Sequence, residues 1–167
     1  ICQVEQDYGK LSRSVPAQYH YQLAMRDIRA EYESIVHHIL CHKFGFDTQR
    51  NALGRFEARP SLSEFLNQRR DSTTTDPPCV VVVPNDFPYH VADNIRHYVL
   101  WKLGSTPCSH EEIQDAKTVI QTEIPVQDFI HWANPPHLQS IPDIHHVHIL
   151  CLLDDDDDVK QEQKETS

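Results

Sequence analysis

Between Gln18 and Phe44, apolar side chains recur at steps of three and four: Tyr21, Ala24, Ile28, Tyr32, Ile35 and Ile39. At 3.6 residues per turn these positions line one stripe, so the spacing predicts a single long helix over 18–44, stopped at Gly45. Ser61-Leu62-Ser63-Glu64 has capping-box spacing and is followed by Phe65 and Leu66 on the face of Leu62, which predicts a short helix running to about Arg70. Residues 71–78 are rich in Ser, Thr, Asp and Pro and read as a loop. The β-branched run Val80–Val83 reads as a buried strand, and Arg96–Lys102 as a second. Ser109-His110-Glu111-Glu112 repeats the capping-box pattern, with Ile113, Ala116 and Ile120 completing an amphipathic helix that ends before Pro125. Phe129–Trp132 and His146–Leu153 are further strands.

These elements predict an α+β fold: a small antiparallel sheet of residues 80–84, 96–102 and 146–152, packed by two main helices near 18–44 and 110–121 in a single domain. Residues 1–17 lack periodicity and read as an N-terminal arm, leaving 18–153 as the body. Residues 154–167 are too charged and too poor in apolar groups to pack, and read as a disordered acidic tail.

Charge and cysteine usage sharpen this picture. The formal charge is −10, but the tail holds seven acids and two lysines, so half of the excess sits there. Over residues 41–70 the sign reverses. Lys43, Arg50, Arg55, Arg59, Arg69 and Arg70 face only Asp47, Glu57 and Glu64, a local +3 able to hold a polyanion or simply to form a solvated face. Cys2, Cys41, Cys79, Cys108 and Cys151 are odd in number, widely spaced and without a C-x-x-C pair, which suits reduced thiols in the cytoplasm or nucleus better than a disulfide scaffold or zinc site, and the cytoplasm is the expected location. No apolar run approaches the ~20 residues of a membrane span, and the first residues lack the basic-then-apolar pattern of a secretory leader. With only four glycines, there is no Gly-rich phosphate loop.

Candidate chemistry concentrates on Ile144-His145-His146-Val147-His148-Ile149-Leu150. Side chains alternate across a strand, so His146 and His148 share one face about 7 Å apart, while His145 joins Val147 and Ile149 on the other. Two such imidazoles suit proton transfer, nucleophilic attack or metal binding, or are a pair of surface histidines. His97 joins them if the second strand neighbours the last, and three neutral imidazoles suffice for zinc, although no spacing demands a metal. The proline-framed loop Asn134–Pro142 can present Asn134 and Ser140 beside the strand, with Ser140 a conceivable nucleophile or a turn cap. Asn85 and Asp86 follow the Val80–Val83 strand, where Asp86 suits substrate contact or an Asx turn. On the first helix, Asp27, Glu31, Ser34 and His38 form a polar stripe. There, Asp27 and Glu31 can clamp a guanidinium or belong to a solvated face.

Several of these segments together resemble one family. His20-Tyr21-Gln22-Leu23-Ala24-Met25-Arg26-Asp27, Asn85-Asp86-Phe87-Pro88-Tyr89, His131-Trp132-Ala133-Asn134-Pro135-Pro136-His137-Leu138 and His146-Val147-His148-Ile149-Leu150 occur in order. Over residues 16–153 the chain resembles the fungal N-acetylglucosamine-induced proteins, a domain of unknown function. The resemblance implies formation of arginine-containing cyclic dipeptides from aminoacyl-tRNA. For that reaction, residue chemistry nominates His146 or His148 as base, Asp27 and Glu31 as guanidinium acceptors, and Arg55, Arg59, Arg69 and Arg70 as phosphate contacts. No cofactor enters it.

The layout Asp86-x-Pro88, His97-x-Val99, helix, Gln139-Ser140-Ile141, His146-x-His148 is also similar to histidine-triad nucleotide-binding proteins. Two departures stand against it: Ile144 or Leu150 occupies the third histidine's place, and the gap between Ser140 and His146 is longer than the triad pattern. The expectations are therefore three: aminoacyl-tRNA-dependent cyclodipeptide synthesis; hydrolysis or transfer of a nucleotide or sugar nucleotide; or a non-catalytic binding protein whose histidines hold metal or pack.

Overall fold

The computed structural model describes residues 11–69, 79–104, 106–139 and 141–154. Ser140, Arg70, the loop 71–78, the first ten residues and the tail beyond Asp154 lie outside them, together with the expectations placed on them. Within the described residues the chain is α+β, with four α-helices, a two-stranded and a four-stranded antiparallel sheet. They fall into two compact units, one of residues 11–69 and 85–91, the other of 79–84 and 92–154.

In the first unit, α1 spans Val15–Glu31, with Ser14 as N-cap and Pro16 in the first turn, where no backbone N–H is needed. The single helix expected over 18–44 is instead two. Tyr32 takes extended backbone angles, and Ser34 caps a new helix, α2, over Ile35–Phe44. Sequence periodicity runs through the break because Tyr32, Ile35 and Ile39 keep helical spacing while the backbone groups between the helices find other partners. Glu33 N–H donates to the Phe56 carbonyl at 2.8 Å, and the Tyr32 hydroxyl lies 2.8 Å from His42 Nε2. Gly45 ends α2 at φ 73, the left-handed position where a side chain is penalised.

The hairpin that follows, β1 (Asp47–Arg50) and β2 (Phe56–Arg59), was not foreseen. Strand β1 is exposed throughout, so it carries no apolar alternation to read. Its signal is in the turn, where Asn51 Oδ1 accepts from the N–H groups of Leu53 and Arg55 and Gly54 adopts φ 78. Helix α3 (Leu62–Arg69) starts at the expected capping box, with Glu64 accepting from Ser61 N–H at 2.8 Å.

The second unit holds β3 (Val80–Pro84), β4 (Ile95–Lys102), α4 (His110–Glu123), β5 (Val126–Trp132), a 3-10 turn (Pro136–Leu138) and β6 (His145–Leu153). The sheet runs β3-β4-β6-β5, so the strand expected at Phe129–Trp132 joins the other three as an edge, and β6 lies inside the sheet between β4 and β5. The Ser109–Glu112 capping box forms in full and starts α4 as expected. One sheet face packs on α4: Tyr98, Leu100, Val147, Ile149 and Cys151 bury against Ala116 and Ile120. Fully burying a residue such as Ile120 or Ile149 contributes roughly 1.5–3 kcal/mol, so this cluster fixes the register of β4 against β6.

Candidate functional site

The register that puts Val147 and Ile149 on α4 puts the intervening histidines on the opposite face. Val99 and Trp132 are the partners of His148 on β4 and β5, and Trp101 is the partner of His146. His97 sits two residues along β4 from Val99 and so lies diagonal to His148. His97, His146 and His148 are all buried, at 6, 6 and 8% exposure.

The strand expectation for His146 and His148 holds, and the ring centroids lie 5.6 Å apart. His97 Nε2 is 3.0 Å from His148 Nδ1. The other nitrogen of His148, Nε2, is 3.2 Å from the Asn134 amide nitrogen. Asn134 Oδ1 accepts from the Trp132 indole N–H at 3.0 Å, and the Asn134 backbone carbonyl accepts from the Gln139 amide at 2.8 Å. The Trp132 ring stacks on His148 at 5.2 Å, and Trp101 lies 4.9 Å from His146. Sequence reasoning did not single out the two tryptophans; their placement opposite histidines on paired strands is a signal that only the register supplies.

His146 Nδ1 donates to the Ile144 carbonyl at 3.0 Å, which leaves the ring's lone pair on Nε2. Burial holds its pKa below the usual imidazole range, against the Ile144 hydrogen bond, which pulls upward. His146 is therefore neutral at pH 7 and competent to accept a proton. His145 points to the other face as expected, paired across the ladder with Lys102. Among the described residues, no three His, Cys, Asp or Glu side chains are arranged to hold a metal ion.

The remaining sequence candidates among the described residues belong to the first unit. Asn85 Oδ1 accepts from Phe87 N–H at 2.9 Å, so the Asx turn forms at Asn85, one residue before Asp86, for which it was expected, and Asp86 forms an ion pair of 2.6 Å with Lys43. Asp27 and Glu31 are exposed on α1, with the Asp27 carboxylate held by Arg26 at 2.9 Å. Ser34 and His38 leave their stripe, because the helix break makes Ser34 the cap of α2. Arg55 pairs with Glu33 at 3.0 Å and Arg59 with Glu57 at 2.8 Å, while Arg69 lies over the Phe65 ring.

A second group of histidines sits on α2. The His38 ring lies 4.3 Å from that of His42 and 4.9 Å from that of Tyr32, and its Nδ1 is buried without a hydrogen-bond partner. Burial, then the neighbouring His42 and Lys43, lower its pKa to about 4, with Asp86 opposing. His37 Nδ1 accepts from the buried Ala58 N–H at 2.8 Å and so ties α2 to β2.

The fold is similar to that of a solved structure described as "Crystal Structure of HTC1", with a TM-score of 0.51 and 17% identity over 87% of this chain and 78% of the other. At that identity the likeness is one of fold alone. No curated protein matches the chain. A family model does, over residues 3–152, and the chain belongs to that family, described as "Protein of unknown function (DUF3605)".

Proposed function

We propose that this protein forms an arginine-containing cyclic dipeptide from aminoacyl-tRNA, with the buried histidine face as its base. The observation that carries the reading is the pair His146 and His148 on one strand face, buried among tryptophans, with His146 neutral and its lone pair on Nε2. An amine attacking an aminoacyl ester loses a proton as the carbon–nitrogen bond forms, and the ribose oxygen gains one as it leaves; a neutral imidazole relays that proton. A second, intramolecular attack by the free amine closes the ring and releases the other tRNA. The Asn134 amide carries one more N–H than the contact with His148 uses, a donor for the developing oxyanion.

The resemblance of residues 16–153 to fungal N-acetylglucosamine-induced proteins supports the same reading, and charged tRNA as substrate makes the cytoplasm its place of action. Asp27, Arg55, Arg59 and Arg69 contribute to recognition only if substrate displaces their present partners. The test is incubation of the full chain with a mixture of charged tRNAs including arginyl-tRNA, followed by mass spectrometry for arginine diketopiperazines. Product from the wild type and none from a folded His146→Gln variant is the expected result. No product with any charged tRNA, together with turnover of nucleotides or sugar nucleotides, would replace acyl transfer with the nucleotide reading.

A further inference from the structure

We infer that Asn134 is a positioning residue that fixes His148 in its Nδ1–H form and thereby leaves His146, through Nε2, as the proton acceptor of this face. This rests on the histidine face being the reacting centre, as proposed above. It goes further by separating the roles of the two histidines.

The argument starts at Trp132. An indole nitrogen only donates, so the atom of Asn134 that meets it is the carbonyl oxygen, which settles the orientation of the amide. The amide nitrogen then points at His148 Nε2, and that ring atom must accept. A neutral imidazole that accepts at Nε2 carries its proton on Nδ1, which here faces His97 Nε2 at 3.0 Å and donates to it. Reversing any member sets two donors or two acceptors against each other in a buried setting, where water is not at hand to satisfy them. Both nitrogens of His148 are thus committed, and His97 Nε2 is taken as well. His146 is arranged differently. Its proton is tied to the Ile144 carbonyl, and among the described residues none donates to its Nε2.

The Gln139 amide reinforces the arrangement by holding the Asn134 backbone carbonyl at 2.8 Å, so the side chain hangs from a fixed main chain. Trp132, Asn134, His148 and His97 therefore form a hydrogen-bond chain that runs indole, amide, imidazole, imidazole.

The test uses the full chain labelled with 15N-histidine and long-range 1H–15N correlation near pH 7.5, which reads which ring nitrogen bears the proton. His146 and His148 are assigned by their loss in His146→Gln and His148→Gln. In the wild type, both rings should give the Nδ1–H pattern, although free imidazole side chains favour the other tautomer. Asn134→Asp, which substitutes an acceptor of nearly the same shape, should move the His148 proton to Nε2 while His146 keeps its pattern, so His146 reports that the strand is intact. Trp132→Phe should leave His148 as a mixture of forms. An Nε2–H pattern for His148 in the wild type overturns the inference, as does a folded Asn134→Asp variant with an unchanged spectrum. If Asn134→Asp does not fold, the wild-type pattern decides alone. The spectra are independent of the diketopiperazine assay: the expected tautomers without product would refute the proposed reaction, whereas product with the opposite tautomer would refute the role of Asn134.

Discussion

His97 Nε2 and His148 Nδ1 lie 3.0 Å apart, a buried hydrogen bond between residues 51 positions apart in the chain. It exists because Leu100 and Val147 on the opposite face lock β4 to β6, and that pairing brings β4's third residue diagonal to β6's fourth. Removing His97 leaves a buried donor on His148 without its acceptor. His97→Phe should therefore destabilise the protein by about 1–3 kcal/mol in urea unfolding, although phenylalanine fills the same space. No measurable change would mean that the His148 proton is satisfied elsewhere.

Acid should weaken the first unit through His38. Its folded pKa of about 4 lies below the ordinary 6.5, so the unfolded chain binds the proton more tightly. The stabilisation is complete above pH 6.5 and is lost as pH falls through the window to 4. A shift of this size corresponds to at most about 3 kcal/mol, and less here because the ring is only half-buried. His38→Phe should retain the packing on Tyr32 and flatten that part of the stability–pH curve; an unchanged slope would assign the acid sensitivity to other histidines.

Arg55 and Arg59 have the local positive excess expected of a polyanion site, yet each is matched by a carboxylate, Glu33 for one and Glu57 for the other. A hydrogen bond from Gln49, then Arg59, also lowers the Glu57 pKa. Replacing both arginines with glutamine should change binding to tRNA by less than about threefold at physiological salt. A loss of tenfold or more, with a smaller salt slope, would show that phosphates displace the glutamates.

Asp86 is half-exposed and joined to the largely buried Lys43. Asp86→Asn should cost about 0.2–1 kcal/mol, since a partly solvated ion pair is weak. Activity in the diketopiperazine assay should persist in proportion to the folded fraction. Complete loss of activity at unchanged melting temperature would give Asp86 the direct role that its place after a strand suggested.

Local signals proved sufficient wherever a short stretch satisfies its own backbone. The capping boxes at Ser61 and Ser109 and the αL glycine at Gly45 mark helix ends where they were read. Reading failed where the deciding partner is remote. The break at Tyr32–Ser34 depends on the Phe56 carbonyl and on His42, neither of which a helical period can report. Strand β1 went unseen because all four of its residues are exposed.

Alternation along a strand alone determined that His146 and His148 share a face and that His145 does not, since the period of two is a property of the backbone. Strand order and register were decided only in three dimensions, and with them came the chemistry: Trp101, Val99 and Trp132 are set opposite the histidines, and Asn134 reaches His148 Nε2. The physical reason is that a tautomer is chosen by whichever donor or acceptor the fold brings to each ring nitrogen, and a linear sequence contains the imidazoles but not their neighbours.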